Sequence, residues 1–486
     1  MVIMQDHQEL KKKSFSGIIW QSGQKLINNL FQFVITVILA RLLMPEDYGV
    51  VALASMFNVL AGIFVSCSMG TALIQKKDVD ELDYNTVFYS SLFMSFLVYA
   101  VVYIGAPYFA SLYKNEQIVP IMRTLALMMP IGAFSMVQSA TVSRQMAFKK
   151  FFWASLWSQI ITSAIAIVMA YRGFGAWALV AQSIAGTLAS NYVLYRMVRW
   201  HPRLMFSWNR FKPLFSYSWK RTVAGFMGTF CNQLKGYLIG FQYTTADLAY
   251  FNRGEGLPDM LKNNVAGTID SVLFPALSQL QDNVEDVKRG NRRSIMTSTY
   301  FVCPILLGLV ATADKLVPIL YSAKWSPAIP FMQVACVTLI VVLINNTNLQ
   351  TLYALGRTDI VLKQEFIKKT VMLIILAIAI TISPIAISIG IFFHSVHELL
   401  WTSYANSKLI HYSLKEQLND VKSNVIIASI MAVIVYLIGT VIPNPYLAIC
   451  LQVPLGIVIF FLLSHLFRLE SYTYFRDFVL TTFHNK

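Results

Sequence analysis

Basic side chains occur inside long apolar segments of this chain, at Lys25, Lys220, Arg221, Lys235, Arg253 and Lys262. A charged side chain at the centre of a bilayer costs a few kcal/mol even on the most lenient scale, so such residues usually have a function. Lysine and arginine at this depth favour an anionic ligand, and phosphate oxygens match their hydrogen-bond donors. Lys25, Lys235 and Arg253 lie deepest in their segments, whereas Lys220 and Arg221 can extend to water at one end.

Uncharged polar residues accompany these cations. Gln21, Lys25, Asn28 and Gln32 share one face of the first apolar segment, where they either join neighbouring helices or line a water-filled cavity. We favour the cavity because no acid lies at helical spacing from Lys25. In a later segment, Glu255, Asp259 and Lys262 share a face and predict an internal charge network. Further polar residues assigned to the cavity are Asn232 and Asn252.

His394, His397 and Glu398 form a third cluster, on one face of a predicted helix. Three interpretations stay open for it: helix packing, coupling to a proton or sodium ion, and a metal site. The order of the residues does not match a zinc-protease signature, and no Gly-rich or P-loop nucleotide motif occurs. We therefore expect no catalytic residue, no metal and no cofactor.

The composition predicts an all-α integral membrane protein. Of 486 residues, 56% are hydrophobic and 13% are charged, against about 45–50% and about 25% in soluble domains. Apolar runs such as 367–393 and 425–442 are long enough to cross a bilayer as helices. The polar residues 1–15 predict a cytoplasmic segment rather than a cleavable signal peptide. Fourteen spans are predicted, near 16–40, 47–74, 85–109, 118–141, 151–171, 174–196, 214–241, 246–277, 294–313, 327–347, 366–382, 385–405, 423–442 and 445–467.

The distribution of charge predicts the topology. With both termini in the cytoplasm, most of the 39 Lys and Arg residues lie in cytoplasmic connections, as the positive-inside rule requires. The formal charge of +15 then needs no nucleic-acid partner. The long connections are cytoplasmic as well, which leaves no outer loop large enough for a folded domain.

An internal repeat predicts the domain organisation. A shift of 200 residues pairs identical residues, namely Lys12 with Lys212, Phe15 with Phe215, Ser16 with Ser216 and Asp47 with Asp247. Transporters commonly contain such repeats and bind substrate where the repeats meet. After segment 1–15 we predict a six-span N-lobe at 16–196, a basic linker at 197–213, a six-span C-lobe at 214–405, two accessory spans at 423–467 and a cytoplasmic tail at 468–486.

Several segments resemble the Wzx-like polysaccharide flippases of the multidrug/oligosaccharidyl-lipid/polysaccharide (MOP) exporter superfamily. They are ARLLMPEDYG (40–49), GTALIQKKD (70–78), SRQMAFKK (143–150), FGAWALVAQ (174–182), YFNRGEGLP (250–258) and VLFPALSQLQ (272–281). The resemblance implies two six-helix lobes around a cationic cavity and accessory helices that accept a lipid tail. Arg253 of YFNRGEGLP resembles the substrate-facing basic position of the family.

The resemblance also implies a function. Its cargo would be an undecaprenyl-diphosphate-linked oligosaccharide repeat unit, moved by alternating access across a bacterial inner membrane for lipopolysaccharide, capsule or exopolysaccharide synthesis. Membrane lipids and a polysaccharide polymerase are the expected partners. Two alternatives stay open. A cation-coupled drug exporter of the same superfamily would need an acidic cavity, and a membrane glycosyltransferase or ligase would need catalytic residues facing outward.

Overall fold

A computed structural model of the protein describes residues 2–66, 69–76, 78–145, 147–198, 200–473 and 476. Throughout these ranges the regular secondary structure is helical, in agreement with the predicted class. The chain forms two compact units, Met1–Ala249 and Tyr250–Lys486, called here the first unit and the second unit. The lobe boundaries predicted from the repeat stay a prediction.

The helices of the first unit are α1 (Val2–Leu42), α2 (Pro45–Ser66), α3 (Met69–Gln75), α4 (Glu81–Leu112), α5 (Ile118–Ala126), α6 (Met128–Ala133), α7 (Met136–Arg144), α8 (Phe148–Tyr171), α9 (Ala176–Val198) and α10 (Trp208–Gln242). Helix α8 packs against α1 and α9, and α2 packs against α4, α5 and α10. Helix α11 (Thr245–Gln279) begins at the end of this unit and continues into the next.

The second unit continues with α12 (Val284–Tyr321), a 3₁₀ turn (Ala323–Ala328), α13 (Ile329–Ala354), α14 (Thr358–Ala379), α15 (Pro384–Ile410), α16 (Leu414–Val441) and α17 (Pro445–Leu466). Helix α12 packs against α13, α16 and α17, and α15 packs against α13 and α14. Buried amides join several of these helices, since Asn348 donates to Gln417 at 2.8 Å and accepts from Asn406 at 2.9 Å.

The helices broadly follow the predicted spans, but the structure has α2 and α3 where a single span at 47–74 was predicted, and a second predicted span is bent. Among the described residues, nine helices are long and apolar enough to cross a membrane, and a bent pair makes a tenth candidate. That pair, Ile118–Ala133 and Met136–Arg144, bends by 47° where a single span at 118–141 was predicted. Pro130 explains an interruption near Ala126, because proline cannot donate the hydrogen bond that a helix would direct to the carbonyl four residues earlier. The total of fourteen spans stays a prediction.

One carboxylate fixes the start of two helices in the first unit. Asp47, in the first turn of α2, accepts hydrogen bonds from the N–H groups of Met44 at 3.1 Å and Ala176 at 3.0 Å. Ala176 begins α9, and the preceding Gly175 has a φ of +53° that favours glycine. Carboxylates stabilise the amino-terminal ends of helices. Asp47 therefore has a structural role, in which it joins the PEDYG segment to the FGAWALVAQ segment.

The same joint recurs 200 residues later. Asp247, in the first turn of α11, accepts hydrogen bonds from the backbone N–H and the hydroxyl of Thr244 at 3.1 and 2.7 Å. Helices α1 and α10 end at Leu42 and Gln242, and the helices that follow begin at Pro45 and Thr245. The helix boundaries therefore reproduce the repeat offset at this joint.

Gly49 provides a test of this packing. A Cβ atom at Gly49 would lie 1.8 Å from the carbonyl oxygen of Thr245, whereas one at Gly62 of the same helix would meet nothing within 4 Å. Because the contact at Gly49 is with backbone, we expect Gly49→Ala to lower the free energy of unfolding by about 1–3 kcal/mol. Gly62→Ala, the control, should be neutral or slightly stabilising. Thermal melting of the detergent-purified variants measures both, and equal melting temperatures would contradict the packing described.

Candidate functional site

Arg253 on α11 lies against the aromatic rings of Tyr321 and Trp325. Its guanidinium carbon lies 4.8 Å from the ring centre of Trp325 and 5.0 Å from that of Tyr321. Both rings are buried, and the edge of Tyr250 packs against Trp325 with ring centres 6.0 Å apart. Aromatic faces attract a cation and favour arginine. The aromatic residues therefore fix where this guanidinium lies in the second unit.

The glycine after Arg253 explains how the aromatic residues come so close. A Cβ atom at Gly254 would lie 2.5 Å from the Cβ of Phe331 and 2.8 Å from the carbonyl oxygen of Ala328. Only glycine lets α11 approach the 3₁₀ turn that carries Trp325. The arginine and glycine of YFNRGEGLP thus act together, since the glycine allows the contact that positions the arginine.

The other predicted site residues of α11 lie near Arg253 along the helix. Asn252 is exposed and Glu255 is partly buried. Lys262 Nζ lies 4.0 Å from a carboxylate oxygen of Asp259, and both side chains are largely exposed. This ion pair joins two of the three residues for which the spacing predicts a charge network.

The first unit holds the remaining cations predicted for the cavity. Lys25 on α1 and Arg221 on α10 are exposed, and within the described ranges neither forms an ion pair. Lys235 on α10 is partly buried. The polar residues comprise Asn28, which is partly buried, and Gln32 and Asn232, which are exposed. The side chain of Gln21 lies outside the described residues. A single cavity shared by Lys25 and Arg253 stays a prediction.

His394 and Glu398 belong to a buried ion cluster that the sequence shows only in part. Lys368 Nζ on α14 lies 2.6 Å from Glu398 Oε1 on α15, and His394 Nε2 lies 3.8 Å from the same oxygen. Asn345 donates to Glu398 Oε2 at 3.3 Å and accepts from the hydroxyl of Thr402 at 2.8 Å. Glu398 is therefore neutralised inside the bundle.

The other predicted histidine, His397, forms no ion pair with Glu398 in the part of the chain that the structure describes. His397 is partly buried, and its Nδ1 atom has no hydrogen-bond partner among the described residues.

Lys368 was not identified from the sequence, although the sequence contains a signal for it. Helices α14 and α15 are joined by a short turn near 380–383, and Lys368 and His394 lie at similar distances from that turn on the two sides of the hairpin.

Comparison with solved structures defines the class of protein. The structure "Lipid II flippase MurJ, inward closed conformation" matches 95% of this chain and 100% of its own with a TM-score of 0.72, at 14% sequence identity. An inward-facing MATE family multidrug resistance transporter of the MOP superfamily matches 82% of this chain and 99% of its own, with a TM-score of 0.50 and 16% identity. The chain therefore shares the fold of these two membrane transporters.

Sequence comparison then gives the family. A family model described as "Polysaccharide biosynthesis protein" matches residues 38–330, and the chain belongs to this family. The succinoglycan biosynthesis transport protein ExoT of Rhizobium meliloti (strain 1021) is 24% identical over 301 residues, which are 62% of this chain and 61% of ExoT. The lipopolysaccharide biosynthesis protein WzxC of Escherichia coli (strain K12) is 20% identical over 365 residues, which are 74% of this chain and 73% of WzxC.

The Lys368–Glu398 pair supports a prediction on stability. Removal of one partner leaves a buried charge without compensation and costs about 3–5 kcal/mol, whereas removal of both is far less harmful. We expect Lys368→Met to lower the melting temperature clearly and the Lys368→Met/Glu398→Gln double variant to regain most of the loss. Thermal melting of the four proteins forms a double-mutant cycle. Additive effects of the two substitutions would show that the pair contributes no coupling.

Proposed function

We propose that the protein moves polyprenyl-diphosphate-linked oligosaccharide repeat units from the cytoplasmic to the periplasmic leaflet of a bacterial inner membrane. Membership of the polysaccharide biosynthesis family supports this proposal, as do relatives named for transport in succinoglycan biosynthesis and for lipopolysaccharide biosynthesis. The fold shared with a lipid II flippase supports a lipid-linked cargo.

The observation that carries the proposal is the Arg253 guanidinium held against Trp325 and Tyr321. Aromatic faces hold the guanidinium group of arginine, which carries its N–H donors in one plane. In that plane it can bind two oxygens of one phosphate in parallel. A diphosphate provides such oxygens, so we assign the main contact with the cargo to Arg253.

Cations of the first unit are further candidate contacts for the anionic cargo. Lys25 and Arg221 are exposed on helices of a membrane protein, where contact with hydrocarbon would carry a large free-energy cost. We infer that these faces border water and the anionic part of the cargo. We assign supporting roles to polar residues within each unit. In the first unit, Lys235 adds positive potential, and the amides of Gln21, Asn28, Gln32 and Asn232 add polar surface. In the second unit, Lys262 adds positive potential, and Asn252, Glu255 and Asp259 add polar surface.

The isoprenoid tail needs a different surface, and the second unit provides one. A groove of about 520 Å³ lies among α12, α16 and α17, lined by apolar side chains that include Phe301, Ile305, Phe460 and Phe461. Two of its polar side chains are paired with backbone: Gln452 donates a hydrogen bond to the carbonyl oxygen of Val435 at 2.8 Å, and the Thr312 hydroxyl donates to that of Gly308 at 2.8 Å. A dry groove on the predicted accessory helices suits a hydrocarbon chain that stays in the lipid while the sugar crosses.

The proposed transport cycle is one of alternating access, and the membrane potential gives it a direction. The diphosphate binds while the site is open to the cytoplasm, and rearrangement of the lobes then exposes the sugar to the periplasm. With the cell interior negative, outward movement of an anion is favourable by about 2.3 kcal/mol per charge per 100 mV. Protein cations that move with the cargo reduce this gain. In this proposal the chain catalyses no covalent reaction, both termini are cytoplasmic, and a polysaccharide polymerase uses the delivered repeat unit.

Substitution of Arg253 tests the proposal. The variants are reconstituted in proteoliposomes with a fluorescent lipid-linked oligosaccharide, whose arrival in the outer leaflet is measured by quenching with dithionite. Because hydrogen bonds to charged groups contribute about 1.5–3 kcal/mol each, Arg253→Ala should slow flipping by tenfold or more. Arg253→Lys should recover part of the rate, since it restores the charge but not the paired donors.

Arg357 offers a matched control. It lies in a connection before α14 and its guanidinium pairs with Asp359 at 3.0 Å, so Arg357→Ala removes the same side chain away from the proposed site. Flipping by Arg253→Ala at the rate of Arg357→Ala would contradict the assigned role. Efflux of cationic dyes by the wild-type protein, without movement of the lipid-linked sugar, would favour the drug-exporter alternative.

A further inference from the structure

The first unit contains an uncharged polar pocket that shares only Gln32 with the residues assigned above to the diphosphate. Its volume is about 510 Å³, and helices α1, α6, α8 and α9 contribute most of its lining. Among the side chains are Gln32, Gln159, Gln182 and Asn191, together with serine and threonine hydroxyls, and no lining residue is acidic or basic. Liquid water occupies about 30 Å³ per molecule, so the pocket has room for far more than one water.

Hydrogen bonds already engage much of this lining. The Ser158 hydroxyl donates to the carbonyl oxygen of Gly186 at 2.9 Å, and the Thr187 hydroxyl donates to that of Ser183 at 3.1 Å. The amide of Asn191 donates to the carbonyl oxygen of Ile131. These bonds support the pocket wall, and they occupy the hydroxyl donors of Ser158 and Thr187 and one of the two amide donors of Asn191.

The glutamine amides are different. Within the described part of the chain, the side chains of Gln32, Gln159 and Gln182 form no hydrogen bond, although Gln159 and Gln182 are partly buried. Each primary amide offers two donors and one oxygen with two acceptor sites. Because these amides are not paired within the described part of the chain, their donors and acceptors are open to water or to a polar ligand.

The chemistry of the lining selects the ligand class. An ionic ligand would find no opposite charge among the lining residues, whereas a hydrocarbon would leave the amides unpaired. A sugar hydroxyl both donates and accepts, which matches an amide with free donors and a free acceptor. An uncharged sugar therefore fits this pocket better than a phosphate, a carboxylate or a lipid tail.

We propose that this pocket binds an uncharged sugar unit of the cargo and so discriminates between oligosaccharides. The inference rests on the proposed function and assigns a neutral sugar subsite to the first unit. Discrimination follows from the unpaired amides, because a site built to bind hydroxyls leaves its own polar groups unsatisfied when a ligand lacks them. A uronic acid at this position would bind less well than a neutral hexose.

Binding measurements on the purified protein in nanodiscs test the proposal. The probes are undecaprenyl diphosphate alone, the same lipid carrying a neutral trisaccharide, and the same lipid carrying a trisaccharide with one uronic acid. The Gln159→Leu/Gln182→Leu variant removes two amides of the pocket, and Gln242→Leu makes the same change at the exposed end of α10 as a control.

We expect the wild-type protein and the control to bind the neutral lipid-linked trisaccharide more tightly than the bare lipid. The double variant should lose about tenfold in affinity for the neutral glycolipid, as expected for two hydrogen bonds, and should bind the bare lipid unchanged. Unchanged binding of the bare lipid also shows that the variant is folded.

Two results would overturn the proposal. A double variant that binds every probe as the wild type does would show that the pocket does not contact the sugar. Equal wild-type affinity for the neutral and the acidic glycolipid would show that the subsite does not select uncharged sugars. Failure of the proposed function is a separate outcome, in which the wild-type protein binds neither bare lipid nor glycolipid; that outcome removes the basis of both proposals.

Discussion

The cost of an ionised group inside an apolar helical bundle constrains most of this structure. Each such group must be compensated by an opposite charge, by polarisable groups or by water. Glu398 is compensated by Lys368 at 2.6 Å, with His394 and Asn345 nearby. Arg253 is held against two aromatic faces. Lys25 lies exposed on α1. These three solutions separate a structural ion pair from cations that are placed to receive a ligand.

The fold could be predicted largely from the sequence because a bilayer demands long apolar helices, and because a repeat leaves the same signal twice. The ends of α1 and α10, at Leu42 and Gln242, show that repeat directly. The 47° bend between Ile118–Ala133 and Met136–Arg144 was missed, since hydropathy reports the length of a segment but not its continuity. Pro130 signals only the interruption near Ala126, and proline is tolerated in many membrane helices without a break.

The candidate site could be predicted only where a residue contrasts with its surroundings. Charged residues such as Lys25 and Arg253 are conspicuous in apolar segments. Their supports are not, because Trp325 reaches Arg253 only through the close approach that Gly254 allows. The pocket containing Gln159 and Gln182 was also hidden, since single glutamines, serines and threonines are common at helix contacts. Only the three-dimensional structure shows that these residues line one pocket.

In the proposed function, cations in membrane helices bind the phosphates of a lipid. The most direct test compares the affinity of the wild-type protein, in nanodiscs, for undecaprenol, undecaprenyl phosphate and undecaprenyl diphosphate. These lipids share a tail and differ in the number of phosphate groups, and therefore in charge. The affinity of the protein should rise at each step from the alcohol to the diphosphate. Equal affinity for all three lipids would show that the tail accounts for the binding and would contradict a phosphate site at Arg253 and Lys25.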